Sequence, residues 1–544
     1  MKKIILSALL FGAIQTQSIA QSFQLVKDLY PSTDNLLYDY DAGMTYYNGN
    51  IYFTSYYGDI VVSDGTPSGT SIISNMGMQF MTALDFKKNR FVPMGGKLYY
   101  INRRNELCVT DGTSAGTSMV ADIHPTDTTK YYGVKTILAA NSTKVFFVGN
   151  NGVNGFELWI SDGTTGGTQM VNDIVPGLPG FFSSSPNQHV GTIINEKLYF
   201  FAKDATNGYE PWVSDGTAAG TFMLANTNPT GNCSDGMASS FGGYAGSEMK
   251  FFEFNNAVYF IGYSGIYKTD GTTAGTTLEI SGFSYGANFN TSMCVFDNRL
   301  YFNKYVGGLH ILTKTDGTVA GTNQVDTLSG SMSRGFQEFN GELYFRCKSN
   351  NHSSSDKDYL AKLTGGTQIN GVTATTSGYY NYSVNMIQPI SNSDFLYMGN
   401  YYNHAIYRYN NGANTIANTD FTSVFDNLLS TPIGTFAIGT NATYGYELWK
   451  WDNAASGIET TTSEIDISVY PNPTDNILKI DSKAIIAKIE ILDSNGLLVK
   501  VVKGQATTID VSNLSEGYYL IKFVTDDNRS IVKKIIKNRS VKSL

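Results

Sequence analysis

The sequence predicts an all-β protein: a large β-propeller of eight or nine blades, closed by its N-terminal strand and followed by a small immunoglobulin-like β-sandwich. The first observation is compositional. The 544 residues include 55 Gly, 36 Tyr and 31 Phe, and only 15% are charged. Aromatic and Gly-rich chains suit short strands and tight turns, whereas helices draw on Ala, Leu, Glu, Lys and Arg. The second observation is a phrase that occurs six times, Asp-Gly-Thr followed by Gly-Thr, beginning at Asp64, Asp111, Asp162, Asp215, Asp270 and Asp316. Its spacings of 47, 51, 53, 55 and 46 residues are the period of a propeller, solenoid or array. The third observation lies at the ends of the repeat region and concerns closure.

The chain opens with Met1-Lys2-Lys3, an apolar run from Ile4 to Ile14, and Ser18-Ile19-Ala20 before Gln21. This is the pattern of a secretory signal peptide over residues 1–20, cut between Ala20 and Gln21. The run is too short to span a bilayer, and no other uninterrupted apolar stretch reaches about 18 residues, so no transmembrane span is expected in the mature protein. Outside the cytoplasm the four cysteines, Cys108, Cys233, Cys294 and Cys347, have three possible pairings. None has CxxC spacing, and Cys108 stands where sister segments carry Trp, so the preferred reading is buried and unpaired.

Each unit of residues 21–455 reads as four strands. In the third, these are Thr136 to Ala140, Lys144 to Gly149, Phe156 to Ile160 and Gln169 to Ile174, with a turn at Asn141-Ser142-Thr143. Asn48-Gly49, Gly95-Gly96, Asn195-Glu196, Asn255-Asn256, Asp297-Asn298 and Asn340-Gly341 suit two-residue hairpins needing positive φ. Aromatic second strands follow, such as Ile51-Tyr52-Phe53 and Leu198-Tyr199-Phe200, and are expected to pack unit against unit. Phe23 to Pro31 resembles the fourth strand of later units yet precedes any first strand. Tyr446 to Asp452 is a third strand with no fourth after it. An outer strand supplied from the N-terminus would close a ring and remove exposed edges. Six clear units and three degenerate ones, around Tyr359-Leu360, Ile406-Tyr407 and Leu448-Trp449, leave the count at eight or nine.

A linker at 456–463 leads to residues 464–544, where seven short strands in about 75 residues fit a small sandwich. This segment holds 12 basic and 10 acidic residues; without the two signal lysines, the repeat region holds 24 and 36, a balance of -12. The motifs Val469-Tyr470-Pro471-Asn472-Pro473, the Gly496 turn, Leu514-Ser515-Glu516-Gly517-Tyr518-Tyr519 and Lys533-Lys534-Ile535-Ile536-Lys537 resemble the type A C-terminal sorting domain of the type IX secretion system. The sorting-signal residues are Tyr470, Pro471, Asn472, Pro473, Gly496, Gly517, Tyr519, Lys533, Lys534 and Lys537. The resemblance implies a Bacteroidota-type cell, passage across the outer membrane by the type IX machinery, removal of the domain, and release or attachment to surface lipopolysaccharide. The tail Asn538 to Leu544 extends past the usual end of such domains. Phe156 to Thr164 and Tyr446 to Trp449 resemble the ELWxxDGT repeat of bacterial surface proteins, which implies no particular activity.

The acidic balance argues against nucleic-acid binding, which needs clustered Lys and Arg. Each Asp-Gly-Thr phrase offers one carboxylate, where a Ca²⁺ loop needs several; Asp before Gly more simply holds a turn. Glu157, Glu210 and Glu447 recur at one position of the unit, which points to architecture rather than a single active site. Five scattered His and the lack of G-x-S-x-G, HExxH or a phosphate loop leave no expected metal, cofactor or catalytic residue. The long connections are rich in Tyr, Phe, Ser, Gly and Asn, a composition suited to sugars or protein surfaces. Candidate binding residues are Tyr131, Tyr132, Phe181, Phe182, Tyr244, Tyr285, Tyr379 and Tyr380, each of which has the alternative role of packing its loop down. The expected function is a secreted or surface-bound recognition or adhesion protein with a glycan or protein ligand. The competing reading is a polysaccharide hydrolase or lyase with two non-repeated carboxylates converging in the propeller centre.

Overall fold

The computed structural model describes the strands and most turns between Phe23 and Lys537. Residues 1–22, 30–43, 75–90, 126–131, 183–190, 229–250, 282–292, 326–333, 349–357, 372–386, 399–405, 452–466 and 538–544, with shorter stretches between strands, lie outside the description. The signal peptide with its Ala20/Gln21 cut and the interdomain linker are therefore outside it. The chain divides into two compact units, Leu25–Lys450 and the residues flanking it on both sides.

Between Phe23 and Trp451 the described residues form nine antiparallel sheets of four strands each. The third is typical: Gly133–Ala140, Val145–Asn150, Glu157–Ser161 and Gln169–Met170 pair in chain order. The two-residue hairpins take the backbone their residues suit. Both central residues have positive φ at Asn48 (48°) and Gly49 (86°), Asn195 (50°) and Glu196 (64°), and Asn340 (53°) and Gly341 (75°). Only Gly, Asn and Asp enter that region cheaply, so Glu196 is the one strained choice among them. In the ninth sheet Phe23–Lys27 lies beside Glu447–Trp451, followed by Gly434–Thr440 and Ser423–Thr431. Phe23 sets its ring edge-on to Trp451 at 5.2 Å.

The expectation of a closed β-propeller with a sandwich appended is corrected here. The fold is all-β with multiple small antiparallel sheets, and no sheet is closed or curled. The physical reason is that ladder pairing between strands is completed inside each four-stranded sheet. The N-terminal strand fills the outer place of the ninth sheet but joins no sheet to another. Contact between sheets is made chiefly by side chains, with a backbone bond from Val134 N of the third sheet to Asn105 O of the second unit (2.7 Å). Tyr52 and Ile60 of the first sheet share a core with Leu98, Tyr100 and Cys108 of the second. Leu138, Phe146 and Leu158 of the third share one with Leu198, Phe200 and Trp212 of the fourth. Val26 and Leu448 of the ninth pack with Ile51 and Phe53 of the first.

In the second unit, Ile467–Tyr470, Ile477–Ser482 and Thr508–Asp510 form a three-stranded sheet. Leu498–Lys503, Ile486–Leu492, Gly517–Thr525 and Ser530–Lys537 form a four-stranded one, in that spatial order. One apolar core joins them, with Leu478, Ile480 and Ile509 from the first and Ile489, Ile491, Ile521 and Phe523 from the second. Strand alternation supplies it directly: in Ile486–Leu492 the residues at 486, 489 and 491 are buried and those between are not, the break in period falling at a bulge.

Candidate functional site

The recurring Asp-Gly-Thr phrase is resolved as a hydrogen-bonded clip. In the first unit Asp64 Oδ1 accepts from the Thr66 amide (2.9 Å) and hydroxyl (2.7 Å), the Thr66 hydroxyl accepts from Gly69 N (3.0 Å), and Thr70 Oγ1 donates to Thr66 O (2.6 Å). Ser63 Oγ meets Thr70 Oγ1 at 2.7 Å and accepts from Gly65 N at 3.0 Å. The same carboxylate contact recurs at Asp111, Asp162, Asp215, Asp270 and Asp316. The Thr hydroxyl, then its amide, hold the carboxyls of Asp64, Asp111, Asp162, Asp270 and Asp316 below the usual carboxylate range. One oxygen of each of these carboxylates, Oδ1, is turned towards the turn's own donors. Among the described residues no group of three or more His, Cys, Asp or Glu is placed to hold a metal ion.

The clip also fastens one sheet to the next. Gly112 has φ +93°, and a Cβ there would lie 2.4 Å from the Tyr52 hydroxyl of the preceding sheet; Gly163 stands in the same relation to Tyr99 at 2.2 Å. The residue after Thr adds a bond: Ser114 Oγ donates to Ile73 O (2.5 Å) and Thr165 Oγ1 to Val120 O (2.7 Å).

The repeated glutamates are fully enclosed. Glu157 and Glu210 are 0% exposed. Glu210 Oε2 accepts from the Thr227 amide and hydroxyl, both at 2.8 Å, and burial raises its pKa against those bonds. Glu157 faces the amides of Ile174 and Val175 at 3.4 Å. Each carboxylate thus caps the backbone leaving the fourth strand of its own unit, a local structural task. Cys108 and Cys294 are free thiols; burial pushes Cys108 up to about 12 and Cys294 likewise upward, so neither is a ready nucleophile. Cys233 lies outside the described residues, as does the side chain of Cys347.

Of the candidate aromatic residues, two are described. Tyr132 is half-buried, its ring 4.8 Å from that of His124 and its carbonyl bonded by Asn105 Nδ2 at 2.9 Å. Phe182 is 0% exposed and packs on Phe200 at 5.8 Å, its amide bonded to Phe156 O at 2.9 Å. Its ring lies in the core between the third and fourth sheets. Tyr131, Phe181, Tyr244, Tyr285, Tyr379 and Tyr380 lie outside the described residues.

Among the expected sorting-signal residues, Asn472 meets the last strand, at the edge of the four-stranded sheet. Asn472 Nδ2 donates to Lys534 O (2.8 Å) and its Oδ1 accepts from Ile536 N (2.9 Å). The side-chain amide therefore acts as an extra residue of strand paired with the last one. Thr474 N continues the ladder to Ile536 O at 2.8 Å, and Thr474 bridges Lys537. Tyr470 is exposed, Tyr519 is buried, and Lys537 is 2% exposed while Lys534 is open to solvent. The Tyr519 hydroxyl donates to Ser515 O at 3.0 Å, a tie from strand start to preceding corner of the kind seen in β-sandwich domains. Gly517 has φ +151° at the start of the same strand; Pro471 and Lys533 lie on either side of the Asn472 contact, and Pro473 and Gly496 fall outside the described residues. Sequence reading picked out Asn472 but missed its partner strand. The signal available was the isolated Asn between two prolines, which removes backbone donors and leaves the amide side chain to supply them.

No curated protein matches the chain. Among solved structures, the chain is similar to PorZ, a bacterial surface component of the type IX secretion system of Porphyromonas gingivalis, at 10% identity over 90% of this chain and 80% of that one, with a TM-score of 0.28. It is similar to a prolyl endopeptidase at 13% identity and TM-score 0.34, covering 72% of this chain and only 54% of that one. A third is the GH74 enzyme of Niastella koreensis, at 12% identity over 82% and 73% with a TM-score of 0.33. No helix among the described residues is long and apolar enough to cross a membrane. Residues 468–538 match the family described as the secretion system C-terminal sorting domain; the chain carries a sorting domain of the type IX kind, and it is a secreted or outer-cell-surface protein associated with that machinery.

Proposed function

We propose that this is a surface or secreted recognition protein whose repeat region contacts a glycan or another protein through the Tyr-, Asn- and Ser-rich segments connecting its sheets. The observation that carries the reading is the sorting domain, which dedicates the chain to the exterior of the cell. Two features support it. The carboxylates that recur in the repeats are committed to clips and caps, so the framework holds its connections without spending its polar groups on chemistry. The phrase resembles the ELWxxDGT repeat of surface proteins. Tyr132 beside His124 offers a half-buried aromatic pair suited to such contact. After export, the sorting domain is removed and the repeat region is released or joined to lipopolysaccharide.

The test is binding of purified residues 21–544 to arrays of glycans and matrix proteins, with adhesion of a deletion strain measured alongside. Binding that weakens at least tenfold in Tyr132→Ala supports the proposal. No binding together with unaltered adhesion overturns it. Turnover of a polysaccharide that vanishes on one Asp or Glu substitution would establish the hydrolase or lyase reading in its place.

A further inference from the structure

The four-stranded sheet of the sorting domain buries one face in the apolar core and turns the other away. Register places the outward residues in rows across the strands. One row runs Val501, Glu490, Lys522, Val532; the next begins Lys503, Lys488. A third runs Leu498, Leu492, Leu520, Lys534, and Tyr518 pairs with Ile536 beyond it. Four lysines therefore stand on this face against one acid, a balance of +3, although the whole chain carries -8. Glu490 is already occupied by Lys488 (2.8 Å) and Lys522 (3.9 Å).

The ground between the charges is apolar and exposed: Leu498 49%, Val501 41%, Tyr518 48% and Val532 40%. Lys534 Nζ sits 4.3 Å from the centre of the Tyr518 ring, holding its charge at the surface over an aromatic floor. Each lysine comes from a different strand, so the charges are spread rather than gathered into one pocket. No arginine occurs on these four strands. Spread ammonium groups act as point charges, whereas Arg forks suit the fixed geometry of a protein carboxylate. Scattered lysines over aliphatic ground match a fluid anionic surface, where headgroups rearrange around each charge and the apolar side chains reach the acyl boundary.

We propose that this outward sheet face docks the sorting domain onto the anionic headgroup layer of a lipid membrane. The partner is identified by charge complementarity: a net positive, arginine-free, part-apolar face on a chain that is elsewhere acidic. At physiological ionic strength charges beyond about 8 Å are screened, so the local +3 governs the contact. The proposal is independent of what the repeat region recognises.

The test is co-sedimentation of residues 21–544 with vesicles of phosphatidylcholine alone and of phosphatidylcholine with 30% phosphatidylglycerol. The expected result is partition onto the anionic vesicles only, lost in 0.5 M NaCl. At about fivefold per surface lysine, K503Q/K534Q weakens partition about 30-fold, whereas K97Q/K197Q in the repeat region leaves it unchanged. V501S, which keeps every charge, lowers partition if the aliphatic ground enters the bilayer. Far-UV circular dichroism and a melt confirm that each variant is folded. Equal partition onto neutral vesicles, indifference to K503Q/K534Q, or binding to polyglutamate with none to vesicles overturns the proposal, the last in favour of an acidic protein partner.

Discussion

Gly69 shows how tightly a single position can be determined. A Cβ built there meets the Asp64 carboxylate at 2.0 Å, and the same is true of Gly116 against Asp111 at 2.1 Å. Gly69→Ala must push the carboxylate off the Thr66 hydroxyl, opening the clip at both ends. We expect a loss of about 1–3 kcal/mol, read as a lower denaturant midpoint at unchanged slope, while Gly49→Ala, with open space around it, acts only through its positive φ. The clip carboxylates also set a pH dependence. Their folded pKa values are depressed, so their contribution is present above the unfolded carboxylate value near 4 and is lost as pH falls through the folded values. Melting of the repeat region should therefore decline on acidification below about pH 4, and Asp111→Asn should flatten that decline. Glu210 runs the other way. Its pKa is raised by burial, so the folded state holds the proton more tightly and this position becomes less destabilising as pH falls from neutrality through the raised value. The stability of the native protein relative to Glu210→Gln should thus rise between pH 7 and pH 5, and a difference that is flat or falling would show that the Thr227 bonds outweigh burial.

At the scale of elements, the chain uses two kinds of fastener between sheets, and what was legible beforehand is the turn inside one of them. The turn of the Asp-Gly-Thr clip could be read because its partners lie within seven residues and because Asp, Gly and Thr each have a known turn chemistry, whereas its bond to the neighbouring sheet, Ser114 to Ile73, spans 41 residues. The seventh, eighth and ninth sheets lack that phrase. They are joined instead by glutamine amides: Gln337 donates to Ile387 O (2.6 Å) and accepts from Ile387 N (3.1 Å), and Gln388 Oε1 accepts from Ser430 N (2.8 Å). Those partners are separated by 50 and 42 residues, so nothing local announces them; a Gln at a strand position reads simply as solvent-facing. The same limit hid the Asn472 contact, 64 residues from Ile536. Gln337→Leu should leave the Ile387 backbone groups without that partner and cost about 1–3 kcal/mol, with hydrogen exchange accelerated at the Ile387 amide. Asn472→Ala should release the end of the last strand, raising exchange at Ile536 and lowering the melting point of the sorting domain without touching the repeat region. Phe182 shows the limit of composition: an aromatic in a Ser-rich connection reads equally as a ligand contact or a plug, and what sequence could not show is its enclosure against Phe200.

For the whole molecule, strand content and unit length were readable from period and turn residues, whereas closure was not. Strand-like ends show that an outer strand is needed, and the structure supplies it, but they say nothing of whether backbone pairing passes from one sheet to another. The division at Lys450/Trp451 separates an acidic repeat unit from a mildly basic sorting domain, each with its own apolar core. Calorimetry should accordingly resolve two transitions, with the smaller one alone shifted by Asn472→Ala. Removing residues 464–544 should leave the repeat region folded but retained inside the outer membrane, measured by fractionating cells. A repeat protein whose clip partners are written into each of its first six units, with a tyrosine contact at Gly112, Gly163, Gly271 and Gly317, has a further property. Its fasteners are inherited with each duplication, so the chain can lengthen or shorten by whole units without any new compensating residue. The glutamine-linked sheets have no such freedom, since each amide is matched to one distant backbone. Gain and loss of units among descendants of this gene should therefore concentrate in the first six sheets and spare the last three.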